Sequence, residues 1–228
     1  MVAPISGLTA AQMIAVEGDV GVQMSDTERI IFNLEFDRMM ALNYKERTIV
    51  NLFKKHLGYI YKSCCMAKKE FDGVDFSGLM PKDGQFGWSP IRPEHILGTG
   101  MQTWRVNVTS IESDGWTDLW GTSATKSKPH EDALVTVVGM ANYNGSPKST
   151  ALKHTIMGTE YPVVYFEPGI RIGNISVIDI VKPYRVLPKK EFHVEVKYDR
   201  TGLDELGATG VTFALADYLR TKSPDTEA

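Results

Sequence analysis

The sequence predicts an α+β protein that is mainly β, with a helical N-terminal segment followed by an antiparallel β-sandwich. Three observations carry that expectation. A helix-start signature at Ser25-Asp-Thr-Glu28 precedes two runs of helical periodicity. Period-two alternation takes over after residue 100. The segments that follow are separated by turn residues, with no helical pattern between them.

Residues 1–24 are short on charge, hold Gly7, Gly18 and Gly21, and carry one apolar patch, Ala10-Ala-Gln-Met-Ile-Ala-Val16, so they read as an N-terminal arm. A helical segment spans 25–70. Ser25 and Glu28 have the spacing of a reciprocal cap, and Ile30, Ile31, Leu34 and Met39 recur behind them at helical spacing. Phe32 and Phe36 widen that apolar face, which predicts a helix covered on more than one side. Beyond a weak point near Asn43, the side chains of Ile49, Leu52, Phe53, Leu57, Ile60 and Cys64 share one face of a second, amphipathic helix.

Residues 71–100 are punctuated by Gly73, Gly78, Gly84, Gly87, Pro81, Pro90 and Pro93, the signature of a segment crossing between two parts. Phe71, Phe76, Leu79, Phe86 and Trp88 predict that this segment packs on a surface. A β-sandwich domain is expected over 101–220. Trp104, Val106 and Val108 alternate with polar residues, Leu134–Val138 and Val163–Phe166 are short β-rich runs, and Ile175–Val181 is apolar on both faces apart from Asp179, as a central strand would be. Phe192–Tyr198 and Val211–Leu219 are expected to be strands with one wet face. Turn signals stand at Asn142–Gly145, Glu167–Gly169, Gly173-Asn174, Pro183, Pro188 and Thr201-Gly202, and 221–228 reads as a flexible tail.

The composition permits a sizeable core, since 43% of the 228 residues are hydrophobic, and the 28 acidic against 25 basic side chains leave a net charge of −3. No global field therefore draws the chain to nucleic acid or an anionic membrane. Cys64 and Cys65 are adjacent, which excludes a disulfide framework and fits a reducing compartment. No basic start with a long apolar run opens the sequence, so secretion through a signal peptide is not expected, and no apolar stretch is long enough for a membrane-spanning helix. The sequons at Asn107 and Asn174 fall within strand-like alternation and read as chance.

Signatures of catalysis are missing. Neither Gly98-Thr-Gly100 nor Gly145–Thr150 has the spacing of a phosphate-cradling loop, no nucleophile elbow is present, and the histidines (His56, His95, His130, His154 and His193) never fall at zincin spacing. No enzyme activity, cofactor or metal is expected. His130-Glu-Asp132 reads as a solvated charged turn. A cupin-like metal enzyme would have to use His193 and Glu195 on one strand face, with His130 as a third group. Trp116 and Trp120, flanked by Asp114 and Asp118 in a loop-like stretch, are candidates for stacking on a carbohydrate, another ligand or a neighbouring subunit. Lys54, Lys55, Lys62 and Lys68 form a candidate basic patch toward packaged nucleic acid, although lysines there also complement the helix dipole.

The final third, Pro168–Ile172 through Pro183–Pro188, then Phe192–Tyr198 and Val211–Leu219, resembles in layout the closing strands of viral jelly-roll capsid proteins. The resemblance covers under half of the chain and rests on no strict motif. It implies a jelly-roll-like sandwich in a virion structural subunit, a major coat or cement protein. Such a subunit would be made in the host cytoplasm and would act through contacts with copies of itself and with other virion proteins. The sequence departs from many such coats in lacking a strongly basic N-terminal arm, which weakens the expectation of direct genome contact.

Overall fold

In the computed structural model the Ser25 cap forms reciprocally. The Ser25 backbone N–H donates to Glu28 Oε2 at 2.7 Å, and the Glu28 N–H donates to Ser25 Oγ at 3.2 Å. The structure describes residues 7–42, 47–97, 103–111, 115–122, 124–144, 147–166 and 176–221. Asn43, Asp114, the tail from 222 onward and the predicted turns at Gly145, Glu167–Gly169 and Gly173-Asn174 lie outside them.

The cap opens α2 (Asp26–Leu42), which follows α1 (Ala10–Val20). Thr9 and Gln12 form a second capping box at the start of α1, and Gly21 ends that helix in the left-handed conformation at φ 73°, a position suited to glycine. The expected N-terminal arm is therefore, from Ala10 to Val20, a helix docked on the rest of its unit, with Met13, Glu17 and Met24 buried. The second predicted helix is divided at His56 (φ −101°, ψ 13°) into α3 (Arg47–Lys55) and α4 (Leu57–Glu70).

The crossing segment enters the sheet framework. It contains β1 (Asp75–Phe76) and β2 (Gln85–Pro90), paired in parallel, followed by α5 (Pro93–Leu97). The remaining elements are β3 (Arg105–Val108), β4 (Trp116–Trp120), β5 (Ala133–Asn142), β6 (Ser149–Ile156), β7 (Thr159–Glu160), β8 (Val164–Tyr165), β9 (Ser176–Val186), β10 (Phe192–Tyr198), β11 (Gly202–Leu215) and α6 (Ala216–Thr221). Helices thus precede a mainly β remainder, as the sequence predicts.

Among the described residues there are two sheets. One is mixed and runs β1-β2-β11-β5-β9, with β3 also on β11; the other is antiparallel and runs β4-β10-β6-β7, with β8 also on β6. Three strand readings change. Trp116–Trp120 is a strand rather than a loop, paired with β10 in the register Lys197 to Trp116 and Glu195 to Asp118. Val211–Leu219 is not a strand with a wet face: it ends at Leu215 and continues as α6, and Val211–Ala214 are fully buried because β11 is flanked by β2 and β5. The run expected to be a central strand belongs to β9, which stands at the end of the sheet order, and Pro183 lies within it, where a missing backbone N–H is tolerated.

The chain forms two compact units, one of residues 1–90, 132–136 and 211–228, the other of 91–131 and 137–210. β5 and β11 contribute residues to both. In the first unit an aromatic core joins Phe32, Phe36, Tyr61, Phe76, Phe86, Trp88 and Phe213, with Phe32 4.8 Å from Tyr61 and 5.1 Å from Trp88 between ring centroids. The backbone beside this core is close-packed at Gly87, where an added Cβ would stand 2.1 Å from the Gly78 carbonyl oxygen. Gly87→Ala is expected to lower stability by about 2 kcal/mol, the order of an overpacking penalty, measurable by denaturant unfolding. In the second unit Trp104 and Trp120 pack at 5.6 Å, and Gly207 lies against the Trp104 ring.

Candidate functional site

A helix with the composition of α1 is not ordinarily left in water. Of Ala10-Ala-Gln-Met-Ile-Ala-Val-Glu-Gly-Asp-Val20, only Gln12, Glu17 and Asp19 are polar, and a helix so apolar around its circumference is normally covered on all sides. Within its own unit it is covered on one. Met13 and Glu17, one turn apart, point inward, whereas Ala10, Ala11, Ile14, Ala15 and Gly18 are exposed.

The next helix repeats the arrangement. Glu28, Phe32, Phe36, Met39 and Met40 form the buried face of α2, and Ile30 and Leu34, also one turn apart, are 59% and 63% exposed. The helical spacing of these apolar residues is thus real, but it serves two faces, of which the protein fills one.

Polar contacts tie α1 and the residues just before it to α2. The Leu8 N–H donates to Asn33 Oδ1 at 3.2 Å, and Asn33 Nδ2 donates back to the Leu8 carbonyl at 3.0 Å. Further along α1, Glu17 accepts from Arg29 Nε and Nη2, both at 2.8 Å, from Tyr61 Oη at 2.6 Å and from the Met24 N–H at 3.1 Å. Burial alone raises the Glu17 carboxyl, but these donors outweigh it and hold it down at about 2. In sequence, Ile14 falls between the tethered residues Leu8 and Glu17, and Ile30 falls between their partners Arg29 and Asn33 on α2.

The residues singled out from the sequence are dispersed. Lys68 is buried and donates to both carboxylate oxygens of Glu28 at 2.8 Å and to Asp75 at 3.2 Å, so its charge is committed inside the first unit. Lys62 lies 3.5 Å from Asp19. Of the four lysines only Lys54 and Lys55, at the end of α3, are exposed, and the four do not make the expected patch. Cys64 and Cys65 are free and buried, and burial pushes the Cys65 thiol up to about 12, which leaves it unreactive.

In the second unit Trp120 is 1% exposed and packed on Trp104, so it offers no stacking face. Trp116 is half-buried beneath Lys153, whose Nζ lies 5.9 Å from the ring centroid. Asp118 Oδ1 lies 2.5 Å from His193 Nε2, and Glu195 pairs with Lys153 at 2.8 Å. Glu131 is ion-paired with Lys189, in keeping with a charged turn around His130. His193, Glu195 and His130 are not brought together as ligands, and the described residues contain no cluster of three histidine, cysteine or carboxylate groups able to hold a metal. No described helix is long and apolar enough to cross a membrane.

No family model matches this chain, and no curated protein matches it. Among solved structures it is similar to the crystal structure of the infectious bursal disease virus VP2 subviral particle, over 57% of this chain and 33% of that one, at 12% identity and a TM-score of 0.28. The chain thus spans about a third of the viral protein it matches, and the likeness is weak.

Proposed function

We propose that this protein is a structural subunit that works by contact with copies of itself, as the subunit of a self-assembling shell does, a viral capsid or cement protein being the kind expected. The observation that carries this reading is the uncovered apolar side chains of α1 and α2: Ile14, Ile30 and Leu34, each more than half exposed, together with exposed alanines on α1. Scattered apolar residues on a surface are ordinary. Here two helices tethered by the Glu17–Arg29 ion pair each present them, and burying such side chains between copies stabilises association by about 1.5–3 kcal/mol for each large one fully covered.

The test is size-exclusion chromatography with light scattering across salt and pH, followed by negative-stain microscopy, on the wild type and on Ile14→Asp/Leu34→Asp. Both positions are exposed, so the double variant should keep its far-ultraviolet circular dichroism while its self-association falls by at least tenfold. A wild type that stays strictly monomeric at high concentration would overturn the proposal, as would a folded double variant that assembles normally. Deleting 1–24 is a poorer test, because Met13, Glu17 and Met24 belong to the interior of the first unit.

A further inference from the structure

We infer that the second unit contains a binding pocket for a small, uncharged aromatic molecule bearing one hydroxyl or N–H group, a site separate from the helical face and independent of assembly. A cavity of about 360 Å³ opens between β6, the segment leading into β8, and β9. That volume lies within the roughly 300–1,000 Å³ usual for small-molecule sites. Its walls are mostly apolar. Val164 and Ile180 supply aliphatic surface, and three rings stand around it: His154 is 5.0 Å from Tyr184, and Tyr161 is 5.5 Å from Tyr184, at interplanar angles of 51° and 58°.

Within this wall one polar atom stands out. His154, one of the lining residues, is 1% exposed, and its Nε2 is itself buried, with no hydrogen-bond partner among the described residues. A buried nitrogen left in that state is costly relative to a bonded one, and a cavity alongside the ring is where a partner would be supplied. Burial holds the imidazole down at about 4, so at neutral pH it is uncharged. A neutral ring nitrogen offers one donor or one acceptor and cannot offset the desolvation of an anion. Two charged residues line the cavity, one of each sign: Asp179, half-buried, and Lys182, exposed, with Nζ over the Tyr161 ring at 5.4 Å. These features favour a flat, neutral ligand that stacks among tilted rings and makes one hydrogen bond to His154.

Phenol is the suitable probe, because its O–H both donates and accepts and so serves either tautomer of His154, while toluene has the same shape without the hydrogen-bonding group. Titration calorimetry and saturation-transfer NMR should show saturable phenol binding, about fivefold to tenfold tighter than toluene. His154→Phe should erase that preference. Val164→Trp, made from a half-buried position, should fill the cavity and abolish binding of both probes, with near-ultraviolet circular dichroism reporting the fold of each variant. Equal binding of phenol and toluene to the wild type would overturn the inference. So would the absence of saturable phenol binding up to about 10 mM, or binding that persists in folded Val164→Trp. The comparison of the two probes on the wild type decides the question even if a variant does not fold.

Discussion

Glu28→Ala is expected to destabilise the first unit by about 3–5 kcal/mol, the usual cost of removing one partner from a buried ion pair. Glu28 is 2% exposed and is more than a helix cap. Besides the Ser25 N–H and hydroxyl, it accepts from both sides of the unit: Lys68 Nζ at 2.8 Å from α4, and the Phe76 N–H at 2.9 Å from β1. Without it, the Lys68 ammonium keeps, among the described residues, only Asp75, whose side chain is 70% exposed, and the buried Phe76 N–H loses its acceptor. Lys68→Met should cost less, since Glu28 would retain the Ser25 and Phe76 donors. Urea unfolding of the two variants checks both the size and the order of the effects, and a loss below about 1 kcal/mol for Glu28→Ala would contradict the central role given to this carboxylate.

The same carboxylates set an acid limit. Burial raises the pKa of Glu28 and Glu17, yet the donors around each outweigh it, so both are lowered in the folded protein, Glu17 from 4.5 to about 2. Groups depressed in this way add stability above their unfolded pKa and lose it as pH falls through the folded one. Stability of the first unit should therefore decline from about pH 4.5 toward pH 2, which urea unfolding across that range would follow.

Trp88→Ala should be comparably severe, about 3–5 kcal/mol, as for other fully buried aromatic side chains cut to alanine. The Trp88 ring is wholly buried and meets Phe32 and Phe36 of α2, Phe76 of β1 and Phe213 of β11 at centroid distances of 5.1 to 6.5 Å. Its loss would open a cavity between these three elements at once. Its Nε1 makes no hydrogen bond among the described residues, so Trp88→Phe leaves no partner unsatisfied and should cost much less. Thermal unfolding that ranked the two variants equal would show that the site relaxes and that the core does not depend on this ring.

Much of this architecture is legible in the residues themselves. The Ser25–Glu28 cap forms as its spacing requires, because a helix N-terminus is a local problem solved by residues three apart. Phe192–Tyr198 is a strand at the expected residues, since alternation reports a pleated backbone directly. Other elements are hidden. β6 places Leu152, His154 and Ile156 on one face, but its polar neighbours mask the alternation, and with it the histidine that lines the pocket. Trp116–Trp120 reads as a loop because its aspartates and flanking glycines resemble turn chemistry, and it becomes a strand by pairing with β10.

Residue types and their periods are enough to place helices ahead of strands, to cap α2 and to show that the familiar catalytic motifs are missing, because those features depend on neighbours a few residues apart. Which face of each helix is covered, that Lys68 belongs to Glu28 rather than to solvent, and that the His154 imidazole borders a cavity are decided by the tertiary structure alone. Such facts depend on residues far apart in the chain, as with Glu28, Lys68 and Phe76, which only folding brings within hydrogen-bonding distance.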